Sequence, residues 1–334
     1  MPNWLGDCVM AAPAIAGLKN LYPGCEISAL IREEFAGLLT TLRRAGDGGA
    51  LFSDVFTLEN GGKRLSEAIL RDLAHKRADA AVILPNSFKS AWQVWKLGVK
   101  ERIGYRGELR SALLTVPVPR PPKHSLSQRE HYLNLVRAAY PDVNPGRFRV
   151  LETSEAGKNA ERLLRGLERP IVGVGFGASY GSAKMWPAER FAALIGRLRE
   201  YASVVLLGAD SDRGAERAVL ERCADKPLSL VGRTDLPTLA AVMMRLSLYI
   251  TNDTGPMHLA AASNVPTIAV FGPTSPEETA PEGEKVTVIY HRADCAPCWK
   301  RECPMDQRCM KAITVDEVLE KAVATLGNPA RREA

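Results

Sequence analysis

Short apolar runs alternate with segments of helical periodicity along most of this chain, a pattern typical of parallel sheets flanked by helices. In the first half the pattern predicts strands at residues 26–31, 51–56, 80–84 and 102–104. It predicts helices at residues 8–21, 33–42, 64–76, 87–97 and 127–140, and an extended, proline-rich loop at 116–123.

The pattern weakens around residues 145–154, and a predicted helix at 155–167 opens a second half built of strand–helix units. Its strands are predicted at residues 171–175, 204–207, 228–231, 248–251 and 267–271, and a last helix at 315–326. These units predict two doubly wound domains, at residues 1–154 and 155–334. Such domains bind ligands at the carboxyl ends of their strands.

The composition is that of an ordinary globular protein with enough residues for two cores: 334 residues, 46% hydrophobic and 25% charged. No run of 18 apolar residues is present, so no membrane-spanning helix is expected. The first residues lack the basic-then-apolar pattern of a signal peptide, so we expect a cytoplasmic protein. In that compartment the seven cysteines should be thiols.

The most informative segment, residues 249–261, reads as a buried strand that turns directly into a helix. Asp253 and Thr254 suit a helix N-cap, and Gly255 lets the backbone approach a ligand. His258 follows within about one helical turn. An ordinary capped helix explains Asp253 alone, but the four residues together favour a phosphate or sugar-phosphate site.

A second segment, residues 171–187, combines an apolar strand, a loop rich in glycine and serine, and Lys184. Pro187 then opens a helix, where a first-turn proline is tolerated. Such loops hold phosphates with backbone N–H groups, and a lysine adds charge, although a flexible turn with a solvated lysine has the same composition. The glycine spacing does not match the dinucleotide-binding fingerprint.

Several motifs, taken together and in this order, resemble those of the bacterial lipopolysaccharide heptosyltransferases, glycosyltransferase family 9, and most of all its heptosyltransferase II members. The resemblance extends from Pro2 to about Met310. The motifs are Pro2-Asn3-Trp4-Leu5-Gly6-Asp7, Arg102-Ile103-Gly104-Tyr105, Glu130-His131-Tyr132-Leu133, Lys184-x-Trp186-Pro187, Asp253-Thr254-Gly255-x-x-His258-Leu259 and Phe271-Gly272-Pro273-Thr274.

The resemblance implies a GT-B fold: two Rossmann-like domains facing a cleft, with the C-terminal helix packing back on the N-terminal domain. It implies an inverting enzyme that moves L-glycero-D-manno-heptose from ADP-heptose to heptosyl-Kdo2-lipid A, without a metal or other cofactor. The N-terminal domain would bind this acceptor at the inner face of the inner membrane, and the C-terminal domain would bind the nucleotide sugar. Two alternatives remain: a transferase of the same fold with another nucleotide sugar, and a nonenzymatic nucleotide-sugar sensor.

The chain departs from the family at its start, where family members have a buried strand before the Pro-Asn-Trp segment. This sequence has only Met1 there. Loss of a central strand would leave two unpaired strand edges, so we expect a misassigned start codon or a truncation.

The resemblance also assigns roles to residues. Asp7 would be the catalytic base, although a helix N-cap explains it almost as well from the residues alone. Lys184 and the N–H groups near Thr254 and Gly255 would hold the diphosphate, Asp253 would contact sugar hydroxyls, and His258 the phosphate or sugar. Weaker candidates are Ser179 and Tyr180 for the phosphates and Thr234 for adenine.

An acidic residue at the end of a strand commonly binds ribose hydroxyls, and Asp210 follows the strand predicted at 204–207. Asp210-Ser211-Asp212 also matches a D-x-D metal motif, but it starts a predicted helix, where aspartate is a routine cap. Cys295, Cys298, Cys303 and Cys309 lie within 15 residues and suit either a metal or free thiols. Their spacing fits no standard zinc module, and thiols are favoured.

Positive charge is concentrated in residues 86–150, which hold 12 Lys and Arg against 4 Asp and Glu, a net charge of +8. The rest of the chain holds 32 basic and 34 acidic residues, a net charge of −2. A solvated face would explain this excess, but so would a surface for an anionic partner. No nucleic-acid-binding motif is present, and a phosphorylated glycolipid fits the resemblance. The candidate contacts are Lys89, Lys96, Arg106, Arg110, Lys123 and Arg129.

Overall fold

A computed structural model describes residues 1–58, 65–107 and 109–328 of the chain. The chain divides into two compact units, Met1–Arg149 and Val150–Ala334. The boundary predicted at residue 154 lies a few residues further along the chain. Residue 64, the first of the helix predicted at 64–76, lies outside the described residues.

The N-terminal unit alternates helices and short strands. Its helices are α1 (Leu5–Leu21), α2 (Glu33–Thr41), α3 (Glu67–Lys76), α4 (Phe88–Lys96) and α5 (Gln128–Arg137). Its strands are β1 (Ser28–Arg32), β2 (Leu42–Arg44), β3 (Asp54–Leu58), β4 (Ala80–Ile83), β5 (Glu101–Tyr105) and β6 (Val116–Val118), and β7 (Phe148–Val150) runs across the boundary. A 3-10 helix at Leu109–Leu113 packs against α4.

The C-terminal unit repeats the same alternation more regularly. Its helices are α6 (Ser154–Leu163), α7 (Ala188–Leu198), α8 (Arg213–Leu220), α9 (Leu236–Met243), α10 (Gly255–Ala262), α11 (Pro276–Thr279), α12 (Arg308–Lys311) and α13 (Val315–Thr325). Its strands are β8 (Ile171–Gly175), β9 (Ser203–Leu206), β10 (Leu228–Ser229), β11 (Leu248–Asn252), β12 (Thr267–Phe271) and β13 (Val286–Tyr290).

The six strands of the C-terminal unit form one parallel sheet in the order β10-β9-β8-β11-β12-β13. Strands β8, β11 and β12 are buried along their whole length, which is why their sequences are continuous apolar runs. The order changes direction between β8 and β11, so the loops after these two strands meet at one end of the sheet. Trp186 and Phe191 pack edge to face below that end, with 5.1 Å between ring centroids.

The described strands of the N-terminal unit form separate pieces: β1 with β3, β2 with β7, and β4-β5-β6. Strand β1 alternates buried positions with exposed or half-buried ones, as expected for a strand covered on one face. The backbone amine of Met1 donates a hydrogen bond to the carbonyl of Leu30 on β1 at 2.8 Å.

The predicted α/β class with parallel sheets is confirmed, but four strands were missed: β2, β6, β7 and β13. The short β2 follows the helix predicted at 33–42, and β7 lies where the sequence pattern weakens, at 145–154. Strand β6 lies inside the loop predicted at 116–123, because parallel pairing with β5 overrides the local proline signal. Pro117 is tolerated there since β6 is an edge strand. Strand β13 is also an edge strand with only one fully buried residue, but its residues are β-branched or aromatic, so its sequence did contain a strand signal that was missed.

The last helix, α13, packs against α7 and β12 of its own unit. Its expected contact with the N-terminal domain stays a prediction. Within the described residues, no helix combines the length and apolar character needed to cross a lipid bilayer.

Candidate functional site

The candidate site of the C-terminal unit is built where β8 and β11 end. Strand β11 finishes in Asn252, and Asp253 and Thr254 connect it to α10. Thr254 is the N-cap residue by backbone conformation, but its side chain makes no capping hydrogen bond. Its hydroxyl lies 3.3 Å from that of Thr251 instead. The expectation that Asp253 caps the helix is wrong, because its carboxylate has other partners.

Asp253 is buried and forms an ion pair with Lys184, which comes from the loop after β8. The Lys184 Nζ lies 2.5 Å from Asp253 Oδ2, and both side chains are buried. Thr274, after β12, donates its hydroxyl to the same oxygen at 2.5 Å. Burying an unpaired charge is costly, so each ion requires the other for burial. The sequence predicted both residues for this site, but not that they pair.

His258 lies on the first turns of α10 and is buried. Burial lowers the pKa of its imidazole to about 4; the carboxylate of Asp253 opposes this change and the ammonium of Lys184 adds to it. The imidazole is therefore neutral near pH 7. It can contact a phosphate or sugar as a hydrogen-bonding group, not as a second cation.

Asn252 fixes the glycine-rich loop to the end of β11, a role that the sequence analysis missed. Its Nδ2 donates to the carbonyls of Phe176 at 2.8 Å and Gly177 at 3.3 Å, and its Oδ1 accepts from the Trp186 N–H at 3.0 Å. A buried amide directly after an apolar strand was the signal available in the sequence. These bonds hold both ends of the loop that carries Lys184.

Tyr180 and Ser179 lie in the middle of that loop. The Tyr180 hydroxyl donates to the carbonyl of Trp299 at 2.6 Å, and Lys184 Nζ lies 4.8 Å from the centroid of the Tyr180 ring. Ser179 is exposed. Gly181 packs so closely on the carbonyl of Arg301 that a Cβ there would lie 2.2 Å from that oxygen. The phosphate role expected for Ser179 and Tyr180 stays a prediction.

The two aspartates after β9 have different environments. Asp210 is exposed and accepts a hydrogen bond from Arg213 Nε at 2.7 Å. Asp212 accepts from the backbone N–H of Ala209 at 2.8 Å, and burial raises the pKa of its carboxyl. Its carboxylate lies against Gly177, where a Cβ would come within 2.1 Å of Oδ1. Asp212 thus belongs to the site through its contact with Gly177, a role that the sequence analysis missed.

Other sequence candidates lie outside this cluster. Thr234 is half-buried, just before α9. The four cysteines of residues 295–309 are free thiols, and within the described ranges no group of three or more His, Cys, Asp or Glu is arranged to hold a metal ion. Their segment packs on the Lys184 loop, since the Ala183 N–H donates to the Arg301 carbonyl at 2.9 Å.

In the N-terminal unit, Asp7 lies in the first turn of α1, and Trp4 occupies the N-cap position. The alternative that Asp7 is an N-cap is therefore wrong. Tyr132, on α5, donates its hydroxyl to Asp7 Oδ1 at 2.9 Å, and Gln128 Nε2 donates to that hydroxyl at 2.8 Å. Burial, with the nearby charge of Asp7, raises the pKa of Tyr132 well above its usual value. Tyr132 thus stays protonated and holds one oxygen of Asp7.

The expected basic surface includes one residue that is not at the surface. Arg110 is buried and donates to the carbonyl of Pro85 at 3.0 Å, and burial lowers its pKa. Arg106 and Lys123 are exposed, whereas Arg129 is half-buried. Arg110 therefore supports the loop after β4, and is not part of the exposed face.

The chain matches glycosyltransferase family 9 (heptosyltransferase) over residues 67–308. It is 31% identical to lipopolysaccharide heptosyltransferase 2 of Escherichia coli over 309 residues, which cover 87% of this chain and 88% of that protein. It is 33% identical to lipooligosaccharide heptosyltransferase 2 of Haemophilus influenzae over 314 residues, 86% of each chain.

The fold is shared with solved structures. The E. coli ADP-heptose lipopolysaccharide heptosyltransferase II structure has a TM-score of 0.79 and 28% identity, covering 97% of this chain and 96% of that one. A glycosyltransferase family 9 protein of Veillonella parvula has a TM-score of 0.80 and 23% identity, covering 96% and 94%. These similarities include both units.

Proposed function

Because the chain belongs to glycosyltransferase family 9, the heptosyltransferase family, we propose that it transfers L-glycero-D-manno-heptose from ADP-heptose to the inner core of lipopolysaccharide. The resemblance that its motifs predicted is confirmed, and the chain is a glycosyltransferase with the GT-B fold. Relatives named lipopolysaccharide or lipooligosaccharide heptosyltransferase 2 support this reaction and acceptor.

The buried Lys184–Asp253 pair at the end of β11 is the observation that carries the proposal for the donor. Negative charge grows on the departing ADP as its bond to the sugar breaks, so a fixed ammonium and the first N–H groups of α10 stabilise the transition state more than the ground state. Asp253 keeps the ammonium in place and offers its carboxylate to sugar hydroxyls. His258 is neutral, so it contributes a hydrogen bond and its imidazole does not repel the ammonium of Lys184.

Asp7 is the proposed base. Its carboxylate takes the proton of the acceptor hydroxyl while that oxygen forms a bond to the anomeric carbon. The bond from this carbon to the diphosphate oxygen breaks on the opposite face, and ADP leaves with the electron pair. Attack from the opposite face inverts the anomeric configuration. The hydrogen bond from Tyr132 directs Asp7, since it fixes one of the two carboxylate oxygens.

The nucleoside end of ADP is assigned to residues after β9 and before α9. Asp210 is the proposed ribose contact, and Thr234 the contact at the adenine edge. Asp212 supports the glycine-rich loop through its contact with Gly177.

The proposed acceptor is heptosyl-Kdo2-lipid A at the inner face of the inner membrane, with residues 1–154 binding the acceptor and 155–334 the donor. The net charge of +8 in residues 86–150 supports a phosphorylated acceptor. The absence of a divalent metal requirement is also proposed, since Lys184 and α10 supply the positive potential that a metal would supply in other glycosyltransferases.

The deciding experiment incubates the full chain with ADP-heptose and a defined heptosyl-Kdo2 acceptor, with the product identified by mass spectrometry. A chelator is present in one arm. The expected result is one added heptose, inverted at the anomeric carbon, with equal rates in both arms. Transfer only from another nucleotide sugar would contradict the donor assignment, and loss with chelator restored by magnesium would revive the Asp210-Ser211-Asp212 metal interpretation.

A further inference from the structure

Helix α4 exposes a row of large aromatic side chains that nothing in the proposed reaction uses. Phe88, Trp92 and Trp95 are 49%, 38% and 49% exposed. They are spaced i, i+4, i+7, so they share one face of the helix. Leu109, 78% exposed, lies on the 3-10 helix that packs beside α4 and extends the apolar area.

Opposite positions on α4 account for its packing, so the aromatic row is not needed for the fold. Ala91 and Gln93 are buried, and Val94 packs with Ile83 and Leu114 in a small core cluster. The helix therefore has an inner face that attaches it to the unit and a separate outer face. Aromatic side chains on such an outer face expose apolar area to water at a cost, which indicates an interaction surface.

The charged residues of α4 itself are positive. Lys89 and Lys96 lie on α4 and Lys100 follows it, and α4 contains no acidic residue. Lys96 Nζ lies 4.0 Å from the centroid of the Trp92 ring. Tryptophan and phenylalanine next to lysine are the residues that bind the headgroup region of a bilayer, where the rings enter the interface and the ammonium groups meet anionic lipids.

We infer that this face, formed by Phe88, Trp92, Trp95 and Leu109 and bordered by Lys89, Lys96 and Lys100, docks the enzyme on an anionic lipid bilayer. The inference builds on the proposed function, because a lipid-linked acceptor lies in a membrane. The inference goes further than the proposed function because it names the helix that binds the bilayer. It also states that this helix binds the lipids themselves and does not require the acceptor glycan. Docking there would deliver the N-terminal unit to the surface in which its acceptor is anchored.

The test measures binding of the full chain to vesicles by co-sedimentation, with neither donor nor acceptor present. Vesicles of phosphatidylcholine are compared with vesicles that also contain phosphatidylglycerol. We expect binding to the anionic vesicles that weakens with salt, since surface charges are screened beyond a Debye length of about 8 Å at physiological ionic strength. Binding that is absent, or equal for both vesicles, overturns the inference.

Variants locate the surface. Phe88→Ser/Trp92→Ser/Trp95→Ser should lower the vesicle affinity by roughly 10-fold or more, the scale of withdrawing buried aromatic area. Each of Lys89→Gln, Lys96→Gln and Lys100→Gln should lower it about 5-fold. Leu151→Ser removes an exposed apolar side chain elsewhere, and Lys158→Gln/Lys226→Gln/Lys321→Gln removes exposed lysines of the other unit. If these controls reduce binding as much as the α4 variants do, the assignment to α4 is wrong.

The depth to which the tryptophans of α4 enter the bilayer is measured with brominated lipids, which quench the fluorescence of inserted tryptophan. Trp92→Phe/Trp95→Phe should keep binding and lose the quenching, and retained quenching would contradict insertion of α4. Dimerisation of the parent protein that the triple serine variant abolishes would mean that a second copy covers this face, and would overturn the inference.

Transfer to a soluble, deacylated acceptor tests the proposed function separately. Its loss with vesicle binding intact would leave the docking inference standing and remove the reaction.

Discussion

Functionally important charged side chains have different environments in the two units. In the C-terminal unit, Lys184 and Asp253 are buried and paired at the end of a continuous six-stranded sheet. In the N-terminal unit the described strands form separate pieces, and Lys96, Lys100 and Arg106 are exposed on its surface.

This difference follows from what each unit is proposed to bind. A nucleotide diphosphate is small, and its developing charge is stabilised best by groups already fixed in a dry site. A lipid-linked acceptor is large and lies in a membrane, so the unit that meets it requires accessible charge and apolar area. Buried, paired residues should therefore couple catalysis to stability in the C-terminal unit, whereas surface residues of the N-terminal unit should affect function alone.

The largest effect is expected for Asp253→Ala. Removal of this carboxylate leaves the buried ammonium of Lys184 unpaired, which should lower the free energy of unfolding by about 3–5 kcal/mol. Activity should be lost as well. Urea unfolding followed by circular dichroism measures the first effect, and ADP release the second.

The double variant Lys184→Met/Asp253→Asn is the matched control, since it removes both charges. It should recover much of the stability but none of the transfer activity, because the diphosphate would lose the cation that is proposed to bind it. A double variant as unstable as Asp253→Ala would mean that the pair itself is not what stabilises this end of the sheet.

Asp7→Asn should reduce turnover by roughly 100-fold, the usual scale for loss of a general base. The free energy of unfolding and the affinity for ADP, measured by calorimetry, should stay near those of the parent, since an amide oxygen can still accept the hydrogen bond from Tyr132. Asp142→Asn, an exposed carboxylate of the same unit, serves as the control and should leave turnover unchanged. Near-parental turnover of Asp7→Asn would remove Asp7 from the mechanism.

His258 should make stability depend on pH. Its pKa is about 4 in the folded chain and about 6.5 when unfolded, so only the unfolded chain takes up a proton between these values. The stabilisation is complete above pH 6.5 and is lost as the pH falls towards 4, by roughly 3 kcal/mol in all. Urea midpoints at pH 7 and pH 5 should differ less in His258→Gln than in the parent. The exposed His291→Gln is the control: an equal change there would mean that burial of His258 is not the cause.

The sequence predicted the strands that are buried on both faces, because continuous burial requires continuous apolar runs. Strands β8, β11 and β12 belong to this class. Edge strand β6 contains a proline, and pairing with a neighbour decides its structure. Local sequence does not contain that neighbour.

The same limit applies to the site. Asp253, Thr254, Gly255 and His258 were found because they are adjacent in the chain. The pairing of Lys184 with Asp253 joins residues 69 positions apart, and that of Tyr132 with Asp7 joins residues 125 apart. Asn252 and Asp212 were missed for a related reason: their partners are backbone groups and a glycine that only the fold brings close.

The smallest effect is expected for Tyr132→Phe, which removes the hydrogen bond to Asp7 and keeps the ring in the core. A hydrogen bond to a carboxylate contributes about 1.5–3 kcal/mol, so a positioning role predicts a reduction of kcat of roughly 10-fold, the lower end of that range. The donor KM should not change, because the donor is proposed to bind the other unit. Tyr105→Phe is the matched control, since its hydroxyl donates to the backbone carbonyl of His131 at 2.6 Å and does not reach Asp7 in the described contacts. Both variants lose one tyrosine hydroxyl, and both should lose some stability. If their kcat values fall equally, Tyr132 acts through the fold of α5 and not through Asp7.

The high pKa of Tyr132 adds a second criterion: its hydroxyl remains a donor at alkaline pH, so the ratio of parent to Tyr132→Phe kcat should stay constant up to about pH 9. A ratio that falls over that range would mean that Tyr132 itself titrates, and that its role is proton transfer instead of positioning.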